Sequence, residues 1–547
     1  MRSEISPSRA DDAARRGAAL MNEVLAGHEA TPARSADPQW IKVIDHQRCI
    51  GCHACTTACK AENEVPLGVT RTFVKHVEKG TYPNARRSFQ VTRCNQCADP
   101  PCVAACPTAA MYQREDGIVD FDKNVCIGCK ACIAACPYDA IFINPFDHSA
   151  EKCNFCSHRI DVGLEPACVS VCPTEAILVG DLHEPTGKVA AHVGRSHVNV
   201  RRPEKNTRPK LYYLGVDQAT LDPLSAGTPE GGLHQASEQP HDLAGTGGSR
   251  MPPGWETSNA AASMVTYDIE HKRPWDERVS LYTWTKSISA GVLLMAVVAI
   301  AFGWLDVGSS LARWVAPLTA GVFLAATGVI LIWDLDHPLR FYLIFTRPQW
   351  RSWLARGAVI IGAFGAAIVA WLAASLAGAD GVQRALGWFT APVALATAVY
   401  TAYLFAQAKA RDLWQSPLLP SHMAVQAVLA GTSALALGAV ATGAFDVLPP
   451  LRWVLLASTV AHGLMIASEL ALPTVTAHAR AAEHHLTHGA YRPHFLAGVL
   501  GGALAPALLL LLGGGAVILT LASLLALAGL LAFEHAYVQA GQAVPLA

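Results

Sequence analysis

Residues 49–59 read Cys49-Ile50-Gly51-Cys52-His53-Ala54-Cys55-Thr56-Thr57-Ala58-Cys59, and residues 126–137 repeat the pattern as Cys126-Ile127-Gly128-Cys129-Lys130-Ala131-Cys132-Ile133-Ala134-Ala135-Cys136-Pro137. This C-x2-C-x2-C-x3-C register suits an iron–sulfur cubane: three thiolates two residues apart wrap a tight loop around one cluster, and the fourth starts a helix and points at a neighbouring cluster. Two looser groups accompany the runs: Cys94-Asn-Gln-Cys97 with Cys102 and Cys106-Pro107, and Cys153-Asn-Phe-Cys156 with Cys168 and Cys172-Pro173. All 16 cysteines of the chain fall within these four groups. Each cubane takes four thiolates, so the set fills four 4Fe-4S clusters with none left over. Gly51, Ala54, Gly128 and Ala131 are small enough to let backbone amides approach the cluster sulfurs, which helps set reduction potential.

Other uses of cysteine fit less well. A disulfide framework disagrees with the close C-x2-C pairs and with the lack of a visible secretion signal. Structural zinc uses C-x2-C pairs but not the x2-x2-x3 register followed by proline. Cys49-Ile-Gly-Cys52-His53 matches a c-type haem attachment pattern, yet both cysteines already belong to the cluster run. Between the groups, Gly117-Ile-Val-Asp-Phe-Asp122 predicts a short strand, so the head is expected to be α+β with two pseudo-repeated halves.

The head resembles the four-cluster iron–sulfur subunits of the dimethyl-sulfoxide-reductase (molybdopterin oxidoreductase) superfamily. The residues that carry the resemblance are Arg48-Cys49-Ile-Gly-Cys52-His-Ala-Cys55, Cys59-Lys60-Ala-Glu-Asn63, Cys94-Asn-Gln-Cys97-Ala-Asp-Pro-Pro-Cys102, Lys152-Cys153-Asn-Phe-Cys156, Cys168-Val-Ser-Val-Cys172-Pro-Thr174 and Pro209-Lys-Leu-Tyr-Tyr-Leu-Gly215. The resemblance implies crossed ligation, as the ferredoxin spacing also suggests. One cubane would take Cys49, Cys52, Cys55 and Cys172; a second Cys59, Cys153, Cys156 and Cys168; a third Cys94, Cys97, Cys102 and Cys136; the last Cys106, Cys126, Cys129 and Cys132. It also implies a molybdopterin-containing catalytic subunit as partner.

The rest of the chain has a different solvent. Hydrophobic residues make up 52% of the 547 and charged ones only 16%, and the average conceals a polar front half and an apolar back half. A net charge of −1 gives no basic patch, so nucleic acid is not expected as a partner. Residues 1–39 read as a tail, 40–216 as the ferredoxin-like head, 217–263 as a Gly, Pro, Ser and His-rich linker, and 264–547 as a membrane domain. A twenty-residue apolar window finds about eight spans, near 284–305, 312–334, 356–377, 385–407, 421–443, 450–473, 494–513 and 516–536. The fold class is therefore a ferredoxin-like α+β head fused to an all-α membrane bundle. Many Ala and Gly positions predict close helix packing. On the head side of the spans lie Lys272, Arg273, Arg278, Lys286, Arg340, Arg347, Arg351, Arg356, Lys409, Arg411, Arg480 and Arg492; on the other side, Arg313, Arg384 and Arg452. This asymmetry predicts a multi-pass inner-membrane protein with its head in the cytoplasm.

The membrane half resembles the polysulfide-reductase-type (NrfD-like) quinone-binding anchors, through Asp334-Leu-Asp-His-Pro-Leu-Arg340-Phe341, Pro348 and Arg351-Ser-Trp353. Ionisable groups inside spans are costly and mark functional sites. Here they crowd the head-side ends: Lys286, Asp334, Asp336, His337, Arg340, Glu469, Glu534 and His535, with His462 deepest. Quinone chemistry moves two protons with two electrons and needs polar groups at the carbonyl oxygens. These residues are the expected quinone contacts, for menaquinone or ubiquinone; snorkelling or mutual pairing at span ends is the plainer alternative. A b-type haem between His462 and His535 is a further alternative. The expected function is that of an electron-transfer and quinone-reactive subunit in a molybdopterin oxidoreductase, without a primary-substrate site of its own. The competing expectations are a module of a quinol-oxidising complex that feeds cytochromes, and a pure anchor with an electron-storage head.

Overall fold

In the computed structural model the described residues are 38–80, 83–227 and 263–547. The expected tail lies almost wholly outside them, as does most of the expected linker.

The head is built on two four-stranded sheets. In the first, β1 (Trp40–Asp45) runs antiparallel to β8 (Ile177–Asp181) and parallel to β10 (Leu211–Leu214), whose other edge takes β9 (Val198–Asn199). Trp40, Ile41, Val43 and Ile44 are all buried, so β1 is covered on both faces, as a central strand is. The second sheet has the order β11 (Ala226–Gly227), β12 (Ser263–Tyr267), β2 (Thr72–Lys79), β3 (Arg86–Arg93). The sequence places the linker at 217–263, yet the chain on both sides of 228–262 is folded into this one sheet. Val77, Ala219, Ala226 and Val265 bury one another there, a small apolar cluster that composition alone obscures.

The two cysteine runs share a backbone. Gly51 and Gly128 both have φ of 70°, and His53 and Lys130, at 59° and 61°, precede α1 (Ala54–Glu62) and α3 (Ala131–Ala135). Between them, α2 (Pro101–Ala105) carries Cys102. The hairpin β4 (Met111–Gln113) with β5 (Val119–Phe121) includes the strand expected at 117–122, and β6 (Ile141–Ile143) with β7 (Ala150–Lys152) repeats it in the other half.

Among the described residues, eight helices are long and apolar enough to cross a membrane: Glu277–Ala301, Leu311–Trp333, Trp353–Leu376, Asp380–Gln407, Leu419–Thr442, Phe445–Ala471, Arg492–Leu512 and Ala516–Gly541. The first begins earlier than the apolar window suggested, because Asp276 caps it by accepting from the Arg278 amide and its first turns are polar. A further helix, Ala477–Thr487, precedes the seventh span and was not expected. The first and fifth spans touch backbone to backbone: a Cβ on Gly291 would lie 2.0 Å from the Ala427 carbonyl oxygen, and Gly431 faces it. Around that contact Leu293, Phe364, Trp371 and Leu429 form the membrane core.

The head seats on the end of the bundle that carries the connections after the second, fourth and sixth spans. The Gln349 amide donates to the Pro107 carbonyl at 2.8 Å, and the Ser352 hydroxyl to that of Ala105 at 2.8 Å. Asp412 takes Lys205 and, at 2.6 Å, the Thr476 hydroxyl.

Candidate functional site

Folding gathers the sixteen thiols into four sets. Cys49 lies within electrostatic reach of Cys52, Cys55 and Cys172; Cys59 of Cys153, Cys156 and Cys168; Cys102 of Cys94, Cys97 and Cys136; Cys132 of Cys106, Cys126 and Cys129. None is in a disulfide. The last two sets each line a cavity of their own. Neighbouring sets touch in sequence: Cys55 feels Cys168, Cys94 feels Cys153, and Cys132 feels Cys102. The four sets thus form a row from the Cys49 end to the Cys126 end.

The surroundings suit an anionic cluster. Backbone amides of Met111, Ala150 and Ala176 donate to Cys106, Cys126 and Cys172 at 3.4, 3.4 and 3.2 Å. Arg93, buried on β3, donates to Cys168 Sγ at 2.9 Å, and Lys42 from β1 approaches the same sulfur at 3.7 Å. Burial pushes the Cys49 thiol up to about 11 and Cys97 to about 12. At Cys168 burial acts the same way, but Lys42 and Arg93 outweigh it and bring the thiol down to about 7. Nε and one terminal nitrogen of Arg93 have no hydrogen-bond partner among the described residues. Two buried guanidinium nitrogens without a partner, beside three thiols, fit donation to the sulfur of a bound cluster.

The Cys126 set lies against the membrane domain. His337 donates its amide to the Ile127 carbonyl at 3.2 Å, and Trp275 Nε1 donates to that of Cys129 at 3.3 Å. Arg340 donates to the carbonyls of Lys123 and Cys126 at 2.8 and 3.0 Å. Lys130 pairs with Asp336 at 3.3 Å and donates to the Asp334 carbonyl at 3.1 Å. A Cβ on Gly128 would fall 2.6 Å from that of Asp336, so glycine there permits the contact as well as the positive φ. Burial pushes the Asp334 carboxyl up to about 6, with Lys130 and Arg278 opposing. Asp334, His337 and Arg340 are therefore brought together on the head-docking surface.

A further, small cavity, of about 20 Å³, lies among the spans and is lined by Thr283, Phe405, His422, Gln426, Glu534 and Tyr537, among others. Glu534 accepts from the Thr283 hydroxyl at 2.9 Å. Lys286 stands beside it, donating to the Ala398 carbonyl and Thr401 hydroxyl at 2.7 Å each. His422 Nε2 meets His462 Nδ1 at 2.9 Å, and its Nδ1 faces Glu469 at 3.6 Å. Four expected residues, Lys286, Glu534, His462 and Glu469, thus border one polar region. His535, one residue round the helix from Glu534, turns instead to His494, with ring centres 5.0 Å apart. His422 and Gln426 were missed, although they sit inside the expected fifth span and the criterion that selected His462 applies equally to His422.

A ring cluster links the cavity wall to the Cys126 set. Phe405, in the cavity wall, stacks on Trp414 at 4.8 Å, and Trp414 on Trp275 at 5.4 Å. Trp275 is the residue that donates to Cys129.

Residues 268–546 match the polysulphide reductase, NrfD, family model. The protein belongs to that family. In front of the NrfD domain, residues 41–114 and 86–182 match two 4Fe-4S dicluster models. Thiosulfate reductase electron transfer subunit PhsB of Salmonella typhi is 44% identical over 177 residues, 32% of this chain and 91% of the relative. One of the tetrathionate reductase subunits of Salmonella typhimurium is 42% identical over 201 residues, 36% of this chain and 79% of the relative. One of the polysulfide reductase chains of Wolinella succinogenes is 42% identical over 175 residues, 31% and 92% respectively. This NrfD-family protein is a multi-pass membrane protein, and its head binds 4Fe-4S clusters.

Proposed function

We propose that this chain carries electrons between a molybdopterin-containing catalytic subunit and the quinone pool, through four 4Fe-4S clusters held by the four thiol sets above. Bound at those sets, the clusters supply one-electron carriers in a row. The observation that carries the reading is the ring cluster: Phe405 in the wall of the membrane cavity packs with Trp414 and with Trp275, which donates to the Cys129 carbonyl. Glu534, Gln426 and His422 provide the polar groups that a quinone's two oxygens require, on otherwise apolar walls. Lys286 sits within reach of the Glu534 charge. Asp334, His337 and Arg340 then act at one remove, holding the Cys126 loop against the bundle. The relatives are named as parts of tetrathionate, thiosulfate and polysulfide reductases, which supports a catalytic partner.

The test is metal and subunit analysis of the complex solubilised from membranes, followed by addition of quinol. About 16 Fe per chain is expected, with molybdenum or tungsten, a larger subunit, and cluster reduction by quinol that Glu534→Gln abolishes while iron is retained. Haem proteins without molybdenum or tungsten would favour a quinol-oxidising complex that feeds cytochromes. Unchanged quinol reactivity in Glu534→Gln would remove the cavity from the reading.

A further inference from the structure

The cavity wall continues into a line of titratable groups. His422 and His462 are both almost fully buried, at 1% and 2% exposure. Their rings meet at 2.9 Å, and the Phe533 ring closes over both, with centres 5.6 and 5.1 Å away. Beyond them, the Glu469 side chain is 17% exposed and sits two residues from the head-side end of the sixth span. Its Oε1 faces His422 Nδ1 and has no hydrogen-bond partner among the described residues. Besides these, the titratable groups facing the line are Glu534, across the cavity, and Tyr537, which feels the Glu469 charge and donates its hydroxyl to the Leu413 carbonyl at 3.0 Å. A buried carboxylate oxygen aimed at an imidazole N–H, with a second imidazole on the other nitrogen, is an arrangement built to pass protons.

We infer that Glu469 and His422 form a proton relay between the membrane cavity and water on the head side, with His462 as the positioning residue that holds the His422 ring. The inference rests on the quinone reading of the cavity. With Glu469 ionised, His422 keeps its proton on Nδ1, facing the carboxylate, and leaves Nε2 as acceptor. When quinol is oxidised, its hydroxyl takes the place of His462 Nδ1 at His422 Nε2, its O–H bond breaks and an N–H bond forms there. The Nδ1 proton passes to the Glu469 carboxylate and from there to water. A cluster held by Cys106, Cys126, Cys129 and Cys132 would be the one-electron acceptor for the two electrons, taken one at a time. A second proton follows the same path, so one quinol yields one quinone, two protons and two electrons. Quinone reduction runs the same steps backwards.

The experiment is rapid mixing of the native complex, in its membranes, with quinol. Cluster reduction is followed by electron paramagnetic resonance across pH, in H2O and D2O. Glu469→Gln is expected to slow reduction at least about tenfold, with unchanged quinol affinity, unchanged cluster spectra, an enlarged solvent isotope effect and a shifted pH profile. Glu469→Asp is expected to restore most of the rate. Should Glu469→Gln fail to accumulate, Glu469→Ala is read in the same way. A wild-type rate in Glu469→Gln at every pH, or a loss confined to quinol affinity, overturns the relay alone. A wild-type complex whose clusters quinol does not reduce overturns the quinone reading, and the relay with it.

Discussion

Arg93 places a buried positive charge directly beside the thiols of the head. It is fully buried and donates to Cys168 Sγ at 2.9 Å, and Cys55 and Cys153 are its other charged neighbours. A cation here stabilises the more negative, reduced state of whatever the thiolates hold. Arg93→Gln is therefore expected to lower the reduction potential of one cluster, by on the order of tens of millivolts, with Arg93→Lys between the two. Redox titration by paramagnetic resonance checks this; an unchanged potential would mean that Lys42 alone sets the field. The cysteines themselves were legible from spacing. Arg93 and Lys42 were not, because Cys168 lies 75 and 126 residues away from them and only the pairing of β1 and the approach of β3 bring them to it.

At the scale of elements, the stretch between β12 and the first span works as a clasp. His271 lies between Asp268, 3.2 Å from its Nε2, and Asp139 of the head, on its Nδ1, while Lys75 adds a second cation 3.8 Å from Asp268. Burial alone would lower the imidazole, but the two carboxylates outweigh it and raise it to about 10. Both carboxyls are held below their usual range against burial, His271 being the chief opposing charge. The sign follows directly. A raised imidazole contributes fully below its unfolded value of about 6.5 and loses that contribution as pH climbs through about 10. The lowered carboxyls contribute above about 4 and lose it on acidification. Thermal stability of the solubilised protein should therefore fall between about pH 7 and 10, and His271→Gln should flatten that slope. With its side chain 27% exposed, water screens part of the clasp, so the substitution should cost about 1–2 kcal/mol rather than the full price of a buried pair. A slope equal to the wild type's would assign the pH response elsewhere.

At the scale of the molecule, the head caps the bundle end to which Arg340 and Arg411 belong, while Arg313 pairs with Asp380 at the opposite end at 2.5 Å. The excess of Lys and Arg on the capped end leads us to expect the head in the cytoplasm. A protease added to inverted membrane vesicles should then digest the head, and the same protease added to spheroplasts should leave it intact. The reverse pattern would put the head outside. In both orientations the row of thiol sets runs from the exposed Cys52 to the Cys126 loop beside the spans, so the proposed function leads us to expect its electron partner at the end far from the spans.

Sequence alone determined what short-range periodicity can encode. The cysteine register, the two repeated loops with Gly51 and Gly128, and the eight apolar spans each lie within a few dozen residues, and each follows from local geometry or from the thickness of a membrane. Tertiary structure decided everything that depends on which residues meet across the chain. It turned the Asp334–Arg340 motif toward the Cys126 loop rather than into the cavity, because Lys130 and the loop carbonyls offer partners that lie about 200 residues away in sequence. It separated His535 from Glu534, since neighbours on a helix point about 100° apart. It also joined His422 to His462 and Glu469 across two spans, a contact that no periodicity within either helix contains.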